Sequence, residues 1–449
     1  MITAILQTKL ISIPPLRGGK EGLFLILFFV CGFLLTARAQ TLTLEQCQKL
    51  VRENYPLLSQ YGLIEKTSEF TISNAKRNWL PQISLSAQAT YQSEVASFPD
   101  EMQNMLKPMG LEFEGLHKDQ YKAAVQVEQI IYGGGAVKAQ VEAVKAESEA
   151  NKQSWESEMY SLRERVNQLY FGTLLLQEKI KEINIMVDEL NRNLKLVQSY
   201  AANGLANQND VDKIQVEILS AKQRKSELVS SQNAYRAMLG IMINQEISDK
   251  TELLKPQTQV VSNDIKINRP ELNYFSAQEK MLDARQKSVN SMIRPQVGAF
   301  FQGAYANPGL NLFADMQENQ WSPYFITGIQ FKWNISGFYT RKNNLLKIDL
   351  TRSQIISQRE TFLYNMNLKS TQELISINRM YEVMQDDDEI IALRTSIRKR
   401  TEAGIENGIA TVSDLLRDIH SENLARQNKV THEIELLKNI YDLKFTTNY

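Results

Sequence analysis

The sequence predicts a mainly α-helical chain that also carries transmembrane-length β-strands, arranged as two copies of a strand–strand–long-helix-hairpin unit. Three observations predict this. The chain repeats itself at a long offset, four segments of about ten residues alternate between apolar and polar side chains, and each pair of such segments is followed by a long proline-free stretch.

The duplication is read from four matches in the same order. Asn54-Tyr55-Pro56-Leu57-Leu58 recurs as Asn268-Arg269-Pro270-Glu271-Leu272, an offset of 214 (54 to 268). Pro81-Gln82-Ile83, with Gln88 and Tyr91, recurs as Pro295-Gln296-Val297, with Gln302 and Tyr305, at the same offset. Val125-Gln126-Val127, with Ile131 and Gly133, matches Ile329-Gln330-Phe331, with Ile335 and Gly337, at 204 (125 to 329). Asn203-Gly204-Leu205-Ala206 with Asp210 matches Asn407-Gly408-Ile409-Ala410 with Asp414, again at 204. Self-similarity at a fixed period signals repeated architecture. The drop of ten in the offset (214 to 204) is what a shorter loop in the second copy produces, and loops tolerate such changes.

The N-terminus has the pattern of an export signal. Lys9, Arg17 and Lys20 precede an apolar run from Leu23 to Ala37, and Ala37-Arg38-Ala39 fits cleavage before Gln40. The run falls short of the roughly 20 residues that a spanning helix needs, which favours a signal peptide at 1–39 over a signal anchor. Phe28-Phe29-Val30 lacks the small residues expected before a lipidated Cys31, so no lipid anchor is expected. The repeats are assigned to 40–262 and 263–449. The formal net charge is +0, which argues against nucleic-acid binding. Past the signal only Cys47 remains, so neither an intrachain disulfide nor a cysteine metal cluster is expected.

Each copy is expected to open with a helix, roughly Leu44–Trp79 and Pro270–Ile293. After Pro81 the period becomes two: Ile83, Leu85, Ala87, Ala89 and Tyr91 face one way, and Gln82, Ser84, Ser86, Gln88 and Thr90 the other. Membrane strands are placed at about 82–92 and 121–132, and in the second copy at about 296–306 and 324–335. Phe300 intrudes on the polar side of the third. Tyr91, Tyr132, Tyr305, Trp321 and Trp333 sit near strand ends, as interfacial girdles do. A soluble antiparallel sheet with one face on a core is the bland alternative, since it also alternates.

The proline-free stretch of the first copy carries an unbroken 4,3 spacing from Leu162 through Val166, Leu169 and Thr173 to Val197 and Ala201. That is a heptad seam, and it predicts a coiled-coil helix from Gly134 to Ala202. Its counterpart, about Thr340–Ala403, has a rougher seam. Asn203-Gly204 and Asn407-Gly408 supply the left-handed turn that stops each long helix, giving hairpin tips at about 203–208 and 404–412. Return helices follow at about Asn209–Leu239 and Ser413–Leu443. Asn209 and Ser413 are read as their N-caps, with Asp210 and Asp414 in the first turn.

Four strands cannot close a barrel, for which about eight is the practical minimum. Other copies of the chain must cover the edges: two chains supply eight strands, three twelve, four sixteen. A helical region continuing such a barrel forms a duct.

Several residues resemble a known family. Leu42-Thr43-Leu44-Glu45-Gln46-Cys47 with Glu53-Asn54-Tyr55-Pro56, the strand start Trp79-Leu80-Pro81-Gln82, the junction Tyr132-Gly133-Gly134-Gly135 and the Asn-Gly-x-Ala-x-x-x-Asp tips look like the TolC-type outer-membrane efflux proteins. These are the outer membrane factors of tripartite efflux and type I secretion systems. The resemblance spans the mature chain. It implies a homotrimer in the outer-membrane lipid, with a 12-stranded barrel continued by a periplasmic α-helical tunnel. It further implies docking to a periplasmic adaptor and an inner-membrane RND or ABC transporter, with no enzymatic activity and no cofactor or metal.

The resemblance also implies a site. Asp414, and Asp210 in the first copy, match positions whose carboxylates ring the closed periplasmic entrance, and Asn203, Gly204, Asn407 and Gly408 match the tips that meet the adaptor. Three features depart from the family pattern: Arg417 stands at a second acidic position, Ile405 at a tyrosine position and Ala410 at an arginine position. Arg417 is therefore expected to pair with Asp414 across chains. From the residues alone, both aspartates also read as ordinary first-turn acids. The rival function is a pore-less periplasmic coiled-coil adaptor or scaffold.

Other signals have simpler readings. Met102, Met105, Met109 and His117 read as an adaptable loop rather than a copper site. Gly133-Gly134-Gly135 lacks the ending of a P-loop. Asp386-Asp387-Asp388-Glu389 and Arg398-Lys399-Arg400 read as a solvated helix face. His117, His420 and His432 offer no triad or zinc spacing.

Overall fold

A computed structural model describes residues 41–113, 115–204, 206–249, 251–257 and 266–448; the expected signal segment at 1–39 lies outside them. Two-residue strand β1 (Thr41–Leu42) is followed by α1 (Leu44–Asn54) and α2 (Leu58–Arg77). The single helix expected over 44–79 is thus two. Thr43 and Gln46 form a capping box at the start of α1. Tyr55, held extended by the following Pro56, ends it.

The four long strands are β2 (Gln82–Tyr91), β3 (Asp119–Tyr132), β5 (Gln296–Asn307) and β6 (Ser322–Lys332). They form one antiparallel sheet in the order β2-β3-β5-β6, so the two repeats meet where β3 pairs with β5. The register runs Leu85, Val125, Gly303 and Phe325 across one face, and Ser84, Gln126, Gln302 and Ile326 across the other, so that only Ile326 departs from the polar row. Among the described residues nothing covers the apolar face. Leu85 is 79% exposed and Ile329 75%, which removes the reading of a soluble sheet with that face on a core. Phe300 lies on the polar side because Gly328 sits opposite; a Cβ there would meet its ring at 3.1 Å. Trp321 stacks on Tyr305 and Tyr121 at the strand ends. β2 and β6 each pair on one side only.

Short helices α3 (Asp100–Leu106) and α7 (Leu312–Gln317) sit in the loops that join the strands of each pair. The other helices form two long hairpins. In the first repeat α4 (Ala136–Ala202) runs for 67 residues, about 100 Å at 1.5 Å per residue. It turns into α5 (Gln208–Ile243). Strand β4 (Glu252–Leu253) pairs in parallel with β1, and the Tyr170 hydroxyl donates to the carbonyls of Leu42 (2.9 Å) and Leu254 (2.6 Å). In the second repeat α6 (Pro270–Ser291) precedes β5, and α8 (Gly337–Met384), α9 (Asp387–Glu406) and α10 (Val412–Thr447) follow β6.

Two expectations need correction here. The long helix of the second copy is broken at Gln385–Asp386, because the acids Asp387, Asp388 and Glu389 occupy a new helix N-terminus, where the dipole favours them. The expected solvated face holds for Asp386, Asp388 and Glu389, which are exposed, but not for Asp387, which is buried with its Oδ2 2.9 Å from His432 Nδ1. Arg398 is buried as well. Helix α4, moreover, buries more than its heptad seam. Leu162, Val166, Leu190 and Val197 are inside, but so are Asn167, Gln177, Glu189 and Asn193. It packs against α5 on one side and against α10 on another, so a second, polar stripe is enclosed.

Among the described residues no helix is long and apolar enough to cross a membrane.

Candidate functional site at the hairpin tips

Both tips are built alike. Gly204 (φ +75°) and Gly408 (φ +69°) take the left-handed conformation that ends α4 and α9, with open space around each. The side chains of Asn203 and Asn407 donate back to the carbonyls of Ser199 (2.8 Å) and Ala403 (2.9 Å), four residues earlier. These four residues are thus explained by turn chemistry.

The return helices start earlier than expected. Their N-caps are Asn207 and Thr411, not Asn209 and Ser413, because each is followed by an acid at the third helical position that closes a reciprocal capping box. Asn207 Oδ1 accepts from the Asp210 N–H (3.0 Å), and Asp210 Oδ2 from the Asn207 N–H (3.5 Å). Thr411 Oγ1 accepts from the Asp414 N–H (3.1 Å). Asp414 Oδ2 accepts in turn from the Thr411 N–H (3.2 Å) and hydroxyl (2.6 Å). The Thr411 hydroxyl, its N–H and the Arg417 guanidinium together hold the Asp414 carboxyl below the usual aspartate range.

The residue after each aspartate that differs between copies plays a related part. Arg417 Nη2 lies 3.0 Å from Asp414 Oδ1, and Lys213 Nζ 3.3 Å from Asp210 Oδ1, each three residues on along one helix. The Arg417–Asp414 pair therefore forms within one chain, where i,i+3 spacing brings the groups together without a partner. Lys213 does more. Its ammonium also donates to Ser413 Oγ (3.1 Å), joining the first tip to the second. Spacing within one repeat carries no signal for a contact 200 residues away, so sequence reading missed it.

Around these polar ends the hairpins share an apolar cluster containing Leu190, Val197, Val211, Ile214, Leu415 and Ile419, against which Ile405 packs. Ile405 thus adds to the core where the family pattern has tyrosine. Ala410 closes the turn: its N–H donates to the Gly404 carbonyl (3.2 Å), and a Cβ on Gly404 would meet Ala410 Cβ at 3.1 Å. A long side chain at 410 is not needed to hold that turn.

The chain thus combines a four-stranded antiparallel sheet, paired on one side only at β2 and β6, with two long helical hairpins. Residues 49–242 match the family described as outer membrane efflux protein. That match covers less than half of the chain, whose described residues share the fold of solved outer membrane channels. The chain is similar to the outer membrane protein VceC of Vibrio cholerae, at 13% identity and a TM-score of 0.64, covering 90% of this chain and 94% of that one. Similar too are the CmeC outer membrane channel of Campylobacter jejuni (12%, 0.64, 90% and 85%) and the open state of the MtrE outer membrane channel of Neisseria gonorrhoeae (15%, 0.63, 90% and 88%). No curated protein matches the chain by sequence.

Proposed function

We propose that this chain is one third of an outer-membrane exit duct, through which an inner-membrane pump discharges its substrates to the outside. The observation that carries the reading is the sheet. Its apolar face is exposed along its length and its edge strands β2 and β6 are each unpaired on one side. Such a sheet is stable in hydrocarbon only when closed, since open edges leave backbone groups without partners. Three copies give twelve strands. The residues 1–39 then act as the export signal, and 40–262 and 263–449 as the two repeats. The helical hairpins extend into the periplasm and their tips meet a periplasmic adaptor, itself coupled to an RND or ABC transporter.

In this reading Asp414 and Asp210 lie at the periplasmic entrance, repeated by threefold symmetry. Their charge there is partly answered by Arg417 and Lys213, so the entrance is less anionic than its aspartates alone would make it. The chain is a conduit rather than a catalyst.

The test is reconstitution of the purified protein in planar bilayers, with crosslinking to count subunits. A detergent-extracted trimer that conducts supports the reading; a soluble monomer that does not insert overturns it. Within the same experiment, Asp414→Ala is expected to lower cation selectivity. Unchanged conductance and selectivity would remove Asp414 from the gate.

A further inference from the structure

Behind the tips, the apolar packing of the two hairpins is interrupted by a layer of buried charge. The tip-side cluster runs back to Met186 on α4 and Ile419 on α10. At this far end α4 presents Glu189, between Met186 and Leu190, while α10 presents Glu422 and α9 presents Arg398, all buried. One guanidinium joins the three helices. Arg398 Nη1 pairs with Glu189 and lies 3.0 Å from Glu402 Oε2, while its Nε donates to Glu422 Oε2 (2.7 Å). The other oxygen of Glu422 accepts from the Thr395 hydroxyl (2.7 Å) and from Arg426 Nη2 (2.7 Å). Burial opposes the charge on Arg398, but the surrounding carboxylates outweigh it and hold the guanidinium charged.

A cluster buried this deeply contributes little net stability, because desolvation offsets most of the attraction; apolar side chains of similar volume often serve as well. What it supplies is register. An apolar seam can slip by a turn or a heptad and still bury its surface, whereas a slip here parts Arg398 from Glu189 and leaves buried carboxylates unpaired. Helix α9 needs such a key. The turn at Gln385–Asp386 separates it from α8. Among the described residues, Arg398–Glu189 is the one ion pair that ties α9 to the first repeat. Arg398 stands eight residues before the end of α9, about 12 Å from the tip along the axis.

We propose that Arg398, clamped between Glu189 and Glu422, is the positioning residue of the entrance: it sets the height and rotation of α9 on α4 and so places the second tip against the first. The proposal rests on the exit-duct reading. It differs from the tip contacts in being buried, away from the mouth and independent of the aspartates.

The test uses the full-length protein in planar bilayers. Arg398→Gln is expected to raise resting conductance several-fold. The double variant with Glu189→Gln should rise no further, because the two residues act through one contact. The apolar triple Arg398→Met, Glu189→Leu, Glu422→Leu should keep the thermal midpoint of the parent yet conduct like Arg398→Gln. Joining the tips with a short bismaleimide, through Lys213→Cys and Ser413→Cys in the Arg398→Gln background, should return conductance to the parental level. Assembled variants with parental conductance would overturn the proposal, as would additive effects of Arg398→Gln and Glu189→Gln. If Arg398→Gln does not assemble, the apolar triple decides alone. Parental protein that forms no conducting trimer would instead overturn the exit-duct reading beneath it.

Discussion

In the first hairpin α4 runs unbroken for 67 residues, whereas the second divides the same span into α8, of 48 residues, and α9, of 20. Their tips nevertheless share Asn-Gly turns and reciprocal capping boxes closed by Asp210 and Asp414. The two hairpins are alike at their ends and differ in their middles. The difference teaches that the turn chemistry is local and self-sufficient, while the path of the helix depends on what it packs against. Helix α4 is enclosed by α5 and α10, and its continuous burial leaves no room for a break. Helix α9 packs on α10 and turns Leu393 and Ile397 outward, so its start could move to wherever a row of acids made a good N-terminus.

The largest expected effect tests whether the shared apolar cluster belongs equally to both hairpins. Leu190→Ala in the first and Leu415→Ala in the second each remove a fully buried side chain. Each should cost about 2–5 kcal/mol, read as a fall in the thermal unfolding midpoint by circular dichroism. A cost confined to one of them would show that one hairpin folds on the other as a finished template.

Next come the tips. Gly204→Ala and Gly408→Ala face no steric neighbour, so each should cost only the left-handed backbone penalty of about 1–2 kcal/mol. Equal losses, measured by hydrogen exchange of the flanking amides, would uphold the equivalence of the two turns. Asn207→Ala removes a cap and should cost about 1 kcal/mol, again visible as faster exchange at the start of α5.

A smaller, pH-dependent effect is expected at the second tip. The Asp414 carboxyl titrates below its ordinary range in the folded protein. Its capping contribution is therefore complete above that range and is lost as pH falls through the lowered folded value. Exchange at the start of α10, corrected for intrinsic rates, should be flat near neutrality and rise only in strong acid; a rise near neutral pH would contradict the assignment. The smallest effect is at the differing cations. Arg417→Ala should leave the exchange of the opposite tip unchanged, whereas Lys213→Ala should speed exchange at both tips, since Lys213 alone reaches across to Ser413.

Much of this protein was legible in its residues because the signals were local. Period-two alternation placed the strands, Asn-Gly placed the turns, and the absence of proline from Pro108 to Pro256 allowed the 67-residue helix. Matching offsets carry the reading of two repeats. The caps were misread by two residues because Asn209 and Ser413 are also good capping types; only the backbone geometry shows that Asn207 and Thr411 hold the extended conformation.

What the sequence by itself determined was therefore the repeated unit, its strands, its hairpins and the chemistry of its tips, all set by contacts a few residues apart. The tertiary structure alone decided which polar residues are buried. Arg398 and Asp387 read as surface charges until α4 and α10 closed around them, bringing Glu189 and His432 to their side chains from distant sequence. A charged residue shows no periodicity that distinguishes burial with a partner from exposure to water. Packing makes that distinction, because only a hydrogen-bond partner or an opposite charge brought within reach makes burial tolerable.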